Sequence, residues 1–358
     1  HLNNYNGGSP SIESRFDHVF SVGGYDWAAI TFHNLAVQPV PAGGGPGDNY
    51  NFYTYVGASG AATLRTTQSP GSDPSDHLAA DYSVKVQVDD ALTFLGLYEQ
   101  EPWFLNVAVN VPHNPYDLPR DSSLINTSAF DGNPGDGTIF GNYQANLEAV
   151  DTELQRLQNA MAPEVWARTV VIFTADNGGL RTVYESARTD FGIDLGPTGD
   201  FIVDEDSPNP TRLKNSPFEG GVGVPLVVSG PGVSGGRVTP ALFQSVDLFP
   251  TIVTMAGGSP GTVDGIDQGP VLRGDSAEVR TDTFCMKYNP NGDQSVANIE
   301  REIAVSMRLT GGGEPEGRYK LCTIINETDR LYRLEDASGD PVDPGEQTGL
   351  WNNGSYTA

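Results

Sequence analysis

The amino-acid sequence predicts an α/β fold: a large, mostly parallel sheet flanked by helices, followed by a smaller antiparallel subdomain. Residues 103–109 and 170–175 are short apolar runs that end in polar turns, as buried strands of a parallel sheet do. A helix with a sustained apolar stripe is predicted between them. Later in the chain, short strand patterns alternate with charged turns. We therefore predict an α/β domain over residues 1–272 and an antiparallel subdomain with its tail over residues 273–358.

The composition favours some partners and locations over others. The 358 residues carry a net charge of −26, and only 20 of them are lysine or arginine. A chain this acidic is repelled by nucleic acid and by anionic membranes. No apolar run is long enough to predict a membrane span. The acidic, lysine-poor composition resembles that of secreted proteins from salty surroundings, although the charge itself concerns only solubility. A secreted, periplasmic or extracellular location is expected.

A βαβ unit forms the centre of the predicted sheet. Residues 1–80 are rich in glycine, proline and serine, which predicts loops and short strands. One helix is predicted over 82–98 and a second over 143–161, each with its apolar residues on one face. The first stripe is Val84, Val88, Leu92 and Leu95, and the second is Tyr143, Leu147, Val150, Leu154, Leu157 and Met161. The second helix connects strands 103–109 and 170–175, so these strands should be parallel, with a right-handed crossover.

Polar side chains follow both strands of this unit. Asp176 and Asn177 come directly after the second strand, and His113 lies between two prolines after the first. In open α/β sheets ligands bind outside the carboxyl ends of the strands, so these residues are expected at one edge of the sheet. Oxygen-bearing side chains suit a hard cation such as Ca²⁺ or Mg²⁺. Alternatively, Asp-Asn-Gly is an ordinary turn and His113 an ordinary polar loop residue.

A third apolar strand is predicted over 224–228, preceded by a lysine and a pair of glycines. Lys214 is one of only four lysines, and the two glycines, Gly220 and Gly221, allow the backbone to approach a ligand closely. Alternatively, Lys214 is a solvated surface lysine. Further along, Asp247 is expected to cap a helix that runs through Met255.

The C-terminal subdomain contains three predicted strands, 302–309, 318–324 and 331–334. The two cysteines of the chain, Cys285 and Cys322, also lie in this subdomain. In an oxidising compartment they would form one disulfide, and otherwise they are two buried thiols; the sequence leaves both alternatives open.

The order of these motifs resembles one family, the type I sulfatases of the alkaline phosphatase superfamily. The segments that carry the resemblance are Val111-Pro-His-Asn-Pro115, Thr174-Ala-Asp-Asn-Gly178, Phe218-Glu-Gly-Gly-Val-Gly-Val-Pro225, Ser245-Val-Asp-Leu-Phe-Pro-Thr251 and Arg318-Tyr-Lys-Leu321. Each is weak alone, but their common order along the chain is specific. The resemblance implies an alkaline phosphatase-like fold and hydrolysis of a sulfate ester, either a sulfated carbohydrate or a small aryl sulfate.

The resemblance also implies roles for individual residues. Asp176 and Asn177 would bind Ca²⁺ (or Mg²⁺), and His113 would contact the sulfate ester and help to protonate the leaving oxygen. Lys214 would pair with a sulfate oxygen, and His1, which resembles the histidine of the family's Gly-Lys-Trp-His-Leu motif, would orient the nucleophile. Metal, lysine and histidine would together stabilise negative charge. The family's nucleophile is a formylglycine hydrate, made from a Cys or Ser in Cys/Ser-x-Pro-x-Arg, and it forms a covalent sulfated intermediate.

The sequence departs from the family at the nucleophile. No Cys/Ser-x-Pro-x-Arg sequence occurs in the 358 residues. The family's first metal-binding Asp-Asp pair is missing as well, because Asp89-Asp90 lies within a predicted helix, and Gly223 replaces the arginine of the Glu-Gly-Gly-x-Arg motif. We expect the formylglycine in an N-terminal segment upstream of His1, which could also be a separate chain. Residues 1–358 alone are expected to be inactive.

Two other functions are compatible with these residues. A phosphodiester or phosphonate ester hydrolase of the same superfamily would use the same metal and cations on another tetrahedral anion. A non-catalytic protein would bind sulfated glycans or serve as a structural component, and the missing nucleophile motivates this alternative. Comparing turnover of matched sulfate and phosphate esters distinguishes the first alternative, and detection of formylglycine in the full-length protein excludes the second.

Overall fold

The computed structural model describes residues 20, 24–30, 53–58, 61, 63–66, 82–125, 138–191, 213–214, 216–289, 300–309, 315–324 and 329–342. By its internal contacts the chain divides into two compact units, His1–Trp166 and Ala167–Ala358. No helix within the described residues is long and apolar enough to cross a membrane. The predicted boundary after residue 272 separates an α/β domain from an antiparallel subdomain, whereas these two units are defined by internal contacts alone. The boundary therefore stays a prediction.

The N-terminal unit contains a three-stranded antiparallel sheet and two long helices. The strands are β1 (Trp27–Ile30), β2 (Tyr53–Ala58) and β3 (Thr63–Thr66), in the order β1-β2-β3. The helices are α1 (Ser83–Tyr98), α2 (Ile139–Ala160) and the short α3 (Pro163–Trp166). These strands confirm that short strands occur within the glycine-rich first 80 residues.

Both long helices confirm their predictions, because their apolar stripes form the core. The buried members of the two stripes are Val84, Val88 and Leu95 in α1 and Val150 and Leu157 in α2. The hydroxyl oxygen of Thr138 accepts a hydrogen bond from the N–H of Gly141 at 3.1 Å, so α2 begins before its predicted start. Asp89 and Asp90 lie inside α1, as predicted, and Asp89 pairs with Arg156 of α2 at 2.7 Å.

The predicted strand 103–109 is wrong, since these residues form no β-ladder and no described strand pairs with them. Their exposure nevertheless alternates residue by residue, as in a strand with one buried face. Trp103, Leu105 and Val107 pack against apolar residues of α1 and α2, whereas Phe104 is 54% exposed. The alternating pattern predicts the buried face correctly. A strand also needs a neighbouring chain to pair with, and the local sequence does not specify that neighbour.

The C-terminal unit opens with β4 (Val171–Thr174), which pairs with β5 (Leu226–Ser229). The pairing is antiparallel, with Val171 opposite Ser229 and Thr174 opposite Leu226. Both strands were predicted, but β4 was expected in a parallel sheet. The large parallel sheet is not confirmed, because β5 is the described partner of β4 and its direction is opposite.

The helices of this unit are α4 (Arg181–Phe191), α5 (Glu219–Val222), α6 (Leu248–Met255) and α7 (Gly269–Arg273).

A buried carboxylate organises the chain around α6. The helix ends at Met255, as predicted, but Asp247 makes no side-chain capping bond to it. The Asp247 carboxylate instead accepts hydrogen bonds from Arg280 Nε at 2.8 Å, from the N–H of Ile266 at 2.8 Å and from Gln268 Nε2 at 3.0 Å. The helix is therefore confirmed with Asp247 at its N-cap position, but the expected side-chain capping bond is absent, because the carboxylate is bonded to these other partners.

The predicted antiparallel C-terminal sheet is confirmed. Its strands are β6 (Asp282–Asn289), β7 (Glu300–Leu309), β8 (Gly317–Ile324) and β9 (Arg330–Asp336), in the order β6-β7-β8-β9. All three pairings are antiparallel. β6 is an additional strand that the sequence analysis does not predict.

The strand register decides between the two alternatives for the cysteines. Cys285 on β6 and Cys322 on β8 both stand opposite Ala304 of the intervening β7. Two strand spacings separate them by about 9.5 Å, whereas a disulfide requires Cα atoms within about 7 Å. Both cysteines are free thiols, Cys322 buried and Cys285 half-buried.

Candidate active site

The Asp-Asn-Gly-Gly turn directly follows β4 and presents two oxygen-bearing side chains. Asp176 is exposed and Asn177 is half-buried. The Nδ2 of Asn177 donates a hydrogen bond to the carbonyl oxygen of Gly178 at 3.0 Å. This bond fixes the orientation of the amide and does not use its oxygen, Oδ1. The end of β4 therefore delivers a carboxylate and an amide oxygen side by side, as the sequence predicts.

Two glycine-rich segments meet backbone to backbone at this turn. The N–H of Gly178 donates to the carbonyl oxygen of Gly221 at 2.9 Å. A Cβ atom at position 178 would lie 1.8 Å from the carbonyl oxygen of Gly220, far inside the contact distance. Only glycine permits this approach. The Glu-Gly-Gly segment at the start of α5 is thus a direct neighbour of the Asp-Asn turn.

The main chain of Lys214 is hydrogen-bonded to the same Asp-Asn-Gly-Gly turn. Its N–H donates to the carbonyl oxygen of Gly179 at 3.1 Å. The preceding residue, Leu213, is 1% exposed, and the hydroxyl of Ser216 donates to its carbonyl oxygen at 2.7 Å. The structure therefore brings Lys214 next to the turn that carries Asp176.

Glu219 is a charged residue near the site that lies in one of the family-like segments but to which the sequence analysis assigns no role. Its carboxylate accepts hydrogen bonds from Lys320 Nζ at 2.9 Å and from both terminal nitrogens of Arg318 at 3.1 Å. Burial raises the pKa of the Glu219 carboxyl, but Lys320 and Arg318 outweigh this effect and hold the pKa at about 2. Glu219 is therefore ionised at neutral pH. A hint in the sequence is that one of only four lysines, Lys320, lies on a predicted strand.

Tyr184 is a second neighbour of the turn that the sequence analysis does not predict. It lies near the start of α4, and its ring carbon Cε2 is 3.0 Å from the position that a Cβ atom at Gly179 would occupy. Burial raises the pKa of the Tyr184 phenol above its usual value. The phenol is consequently a neutral hydrogen-bonding group at neutral pH.

His113 belongs to the N-terminal unit, in a loop anchored to α1. Its ring Nδ1 lies 2.7 Å from the carbonyl oxygen of Asn114, and its backbone N–H donates to the carbonyl oxygen of Asn110 at 3.0 Å. Because a carbonyl oxygen only accepts, Nδ1 carries the proton in this contact. Asn110 is bonded in turn to the side-chain amide of Gln87 in α1. The loop therefore holds the imidazole with its Nδ1 side towards the main chain.

Besides this geometry, a comparison with known protein families finds a match over most of the chain. The sulfatase family model matches residues 17–258. This range contains both glycine-rich segments and Lys214. The chain belongs to the sulfatase family. Membership implies an alkaline phosphatase-like α/β fold and, for the family as a whole, hydrolysis of sulfate esters.

Several sulfatases resemble this chain over part of their length. An endo-4-O-sulfatase of Bacteroides thetaiotaomicron is 25% identical over 275 residues, covering 70% of this chain and 48% of the relative. An N-acetylglucosamine-6-sulfatase of Capra hircus is 26% identical over 235 residues, covering 61% and 40%. Arylsulfatase A of Bos taurus is 30% identical over 196 residues, covering 54% and 33%. The chain thus spans half or less of the length of these sulfatases.

The residues of this sulfatase chain fit a hard cation in chemistry, and they supply part of a ligand set. Asp176 and Asn177 offer the oxygen atoms that Ca²⁺ and Mg²⁺ prefer, but Ca²⁺ takes about six to eight oxygen ligands. No group of three or more His, Cys, Asp or Glu side chains that could hold a metal occurs in the described parts of the chain. His1 lies outside the described residues. That His113 meets Asp176 at one sheet edge stays a prediction.

Proposed function

We propose that this chain is part of a sulfuric ester hydrolase that releases inorganic sulfate from a sulfated carbohydrate or an aryl sulfate. The observation that carries the proposal is the attachment of Lys214 to the turn that bears Asp176 and Asn177, in a chain of the sulfatase family. Two relatives are named as a 4-O-sulfatase and an N-acetylglucosamine-6-sulfatase, which supports a carbohydrate substrate.

Each proposed role follows from the charge that develops during the reaction. Cleavage of the ester S–O bond leaves negative charge on the leaving oxygen. Lys214 pairs with a sulfate oxygen, and His113 helps to protonate the leaving oxygen. His1 orients the nucleophile. Burial of Leu213 and the bond to Gly179 fix the backbone from which the Lys214 side chain extends.

The proposal includes a cation and a nucleophile. Asp176 and Asn177 would hold Ca²⁺ (or Mg²⁺), which when bound stabilises negative charge on the sulfate oxygens. The nucleophile is a formylglycine upstream of residue 1, since no Cys/Ser-x-Pro-x-Arg sequence occurs in this chain. It is contributed by the same polypeptide or by a separate chain. Residues 1–358 alone are therefore proposed to be inactive.

We also propose a secreted or periplasmic location, with which the acidic, lysine-poor composition is compatible. Fractionation of the source cells measures this directly. Recovery from the medium or the periplasm supports the location, and recovery from the cytoplasm alone contradicts it.

The experiment that tests the activity is sulfate release by the full-length protein containing this chain. Ion chromatography measures inorganic sulfate from sulfated oligosaccharides and from 4-nitrophenyl sulfate, each beside its phosphate analogue. Asp176→Asn and Lys214→Met should each lower kcat/KM about 10²-fold or more. Chelation should abolish activity until Ca²⁺ is restored. Asp275→Asn is the matched control, because it alters a carboxylate that is 61% exposed and pairs with Arg273.

The outcomes separate the candidate functions. Sulfate release that depends on Asp176 but not on Asp275 supports the proposal. A preference of several decades for the phosphate analogues identifies a phosphodiester or phosphonate ester hydrolase instead. Binding of sulfated glycans without turnover, in a protein whose mass spectrum contains no formylglycine, identifies the non-catalytic alternative.

A further inference from the structure

Glu219, the residue before the two glycines, belongs to a cluster of balanced charges in the C-terminal unit. Arg318, which binds Glu219, also pairs with Glu335 at 2.7 Å. Arg308 pairs with Glu335 at 3.4 Å and with Glu278 at 3.1 Å. Within the described part of the chain the cluster contains three cations and three carboxylates, namely Arg308, Arg318, Lys320, Glu219, Glu278 and Glu335.

Fold stability alone does not explain charges at this position. The Lys320 side chain is 1% exposed, so its ammonium has lost nearly all contact with water. Well-packed apolar side chains of similar volume often stabilise a fold as well as a buried ion pair does, or better. Charged hydrogen bonds differ from apolar contacts because they are directional, and each one fixes the distance and the angle between its two partners. The cluster therefore restrains where Glu219 lies.

This restraint reaches the Asp-Asn turn through the backbone. The carbonyl oxygen of Gly221, two residues after Glu219, accepts the hydrogen bond from Gly178. On its other side Gly221 is confined, since a Cβ atom there would lie 2.3 Å from the Ser216 carbonyl oxygen and 2.6 Å from that of Leu213. No side chain separates these segments, so a displacement of the Glu-Gly-Gly segment must displace the turn as well.

We propose that Glu219 is a positioning residue. Its ion pairs with Lys320 and Arg318 hold the Glu-Gly-Gly segment, and this segment holds the Asp176-Asn177 turn and the residue Lys214 in the geometry that binds the cation and the sulfate. The effect on ligand binding rests on the proposed function, whereas the effect on the turn itself does not.

Amide hydrogen exchange in the full-length, metal-free protein tests the effect on the turn. Glu219→Gln removes the Glu219 carboxylate from the buried Lys320, whereas the double variant E219Q/K320M removes both charges and keeps the described cluster balanced. We expect the Gly178 amide to exchange about tenfold faster in both variants. The melting temperature should fall in the single variant and return towards that of the wild type in the double variant. A structural role alone predicts that the exchange rate recovers together with the melting temperature.

Arg280→Met is the control, because it breaks another buried ion pair of the same unit, that with Asp247. It should lower the melting temperature without accelerating exchange at Gly178 relative to the rest of the unit. The proposal would be overturned if the exchange rate at Gly178 were unchanged in E219Q and in E219Q/K320M. It would also be overturned if the exchange rate followed the melting temperature in E219Q, E219Q/K320M and R280M alike.

Titration of the same proteins with Ca²⁺ alone, by calorimetry, tests the effect on the ligand. We expect an affinity about tenfold to 100-fold weaker in E219Q/K320M and unchanged in R280M. If the wild-type protein binds no Ca²⁺, the proposed cation site is wrong, and the exchange result still decides whether Glu219 positions the turn. Equal affinities in the wild type and the double variant would overturn the positioning role in ligand binding.

Discussion

Replacement of Gly178 by alanine tests the backbone contact on which the candidate site depends. The added Cβ atom would lie 1.8 Å from the carbonyl oxygen of Gly220, 2.8 Å from its carbonyl carbon and 3.1 Å from the Cα of Gly221. Real Cβ contacts do not fall below 3.0 Å, so the difference of 1.2 Å is the least separation that the two segments must undergo. All three contacts are with backbone atoms, which cannot rotate away as a flexible side chain would.

The magnitude follows from this displacement. Overpacking of a well-packed site costs about 1–3 kcal/mol, and loss of the hydrogen bond between Gly178 and Gly221 costs about 1 kcal/mol more. We therefore expect the free energy of unfolding to fall by roughly 2–4 kcal/mol. A displacement of this size at a reacting group lowers the rate about 10²-fold. The loss should appear in kcat/KM of the full-length protein.

Urea unfolding followed by circular dichroism measures the first effect, and sulfate release measures the second. Gly235→Ala is the matched control, because Gly235 is exposed, a Cβ atom there meets nothing within 4 Å, and its backbone is not in the left-handed region. It should change the free energy of unfolding by less than about 0.5 kcal/mol. If Gly178→Ala behaved like this control in both assays, the argument for a tight backbone contact would be refuted.

Four further predictions follow from single features. Asp247→Asn should lower the free energy of unfolding by about 3–5 kcal/mol in urea, because it leaves Arg280 buried without its charge partner; a change below about 1 kcal/mol would contradict this. Gly96→Ala in the exposed face of α1, where a Cβ atom meets nothing, should raise it by about 0.5–1 kcal/mol in thermal unfolding, and a decrease would be unexpected. The pKa of Glu219 is lowered from 4.5 to about 2, so its stabilising contribution is present above pH 4.5 and is lost as the pH falls towards 2; urea titrations should show a steeper acid loss in the wild type than in Glu219→Gln. Because residues 1–358 carry a net charge of −26, moderate salt should increase kcat/KM of the full-length protein for a polyanionic sulfated glycan, and a decrease would contradict charge repulsion.

The sequence predicts those elements whose signal is local. The stripes of α1 and α2 repeat with the helical period, and burial of that face is the same whatever the helix packs against. The C-terminal strands are antiparallel and follow each other along the chain, so each is paired with a neighbour in sequence. Residues 103–109 show the limit of this reasoning. Their alternation predicts which side chains are buried, but pairing depends on a distant segment that leaves no mark in the local pattern.

The residues of the candidate site also fall into two groups, those that a local pattern predicts and those that depend on contacts with distant parts of the chain. Asp176 and Asn177 are predictable because a strand and a turn place them, and Lys214 stands out because lysine is scarce. Glu219 is not predictable as a half-buried ion, because its partners Arg318 and Lys320 lie about one hundred residues further along the chain. The close approach of Gly178 to Gly220 cannot be predicted from the sequence either. A Gly-Gly pair indicates permissive backbone, but only the fold shows which of these positions a side chain would obstruct.

The two lysines near the Glu-Gly-Gly segment differ in their charge partners. Lys320 is buried, and Glu219 at 2.9 Å cancels its charge, so it adds nothing to the attraction of an anion. Lys214 is held by its main chain beside the turn, and no carboxylate of the described residues forms an ion pair with it. A protein that repels anions overall still binds one where a cation is left without a carboxylate partner. In the proposed function, Lys320 therefore helps to fix the position of Glu219 and Lys214 provides the positive charge, and exchanging these roles would require moving Glu219.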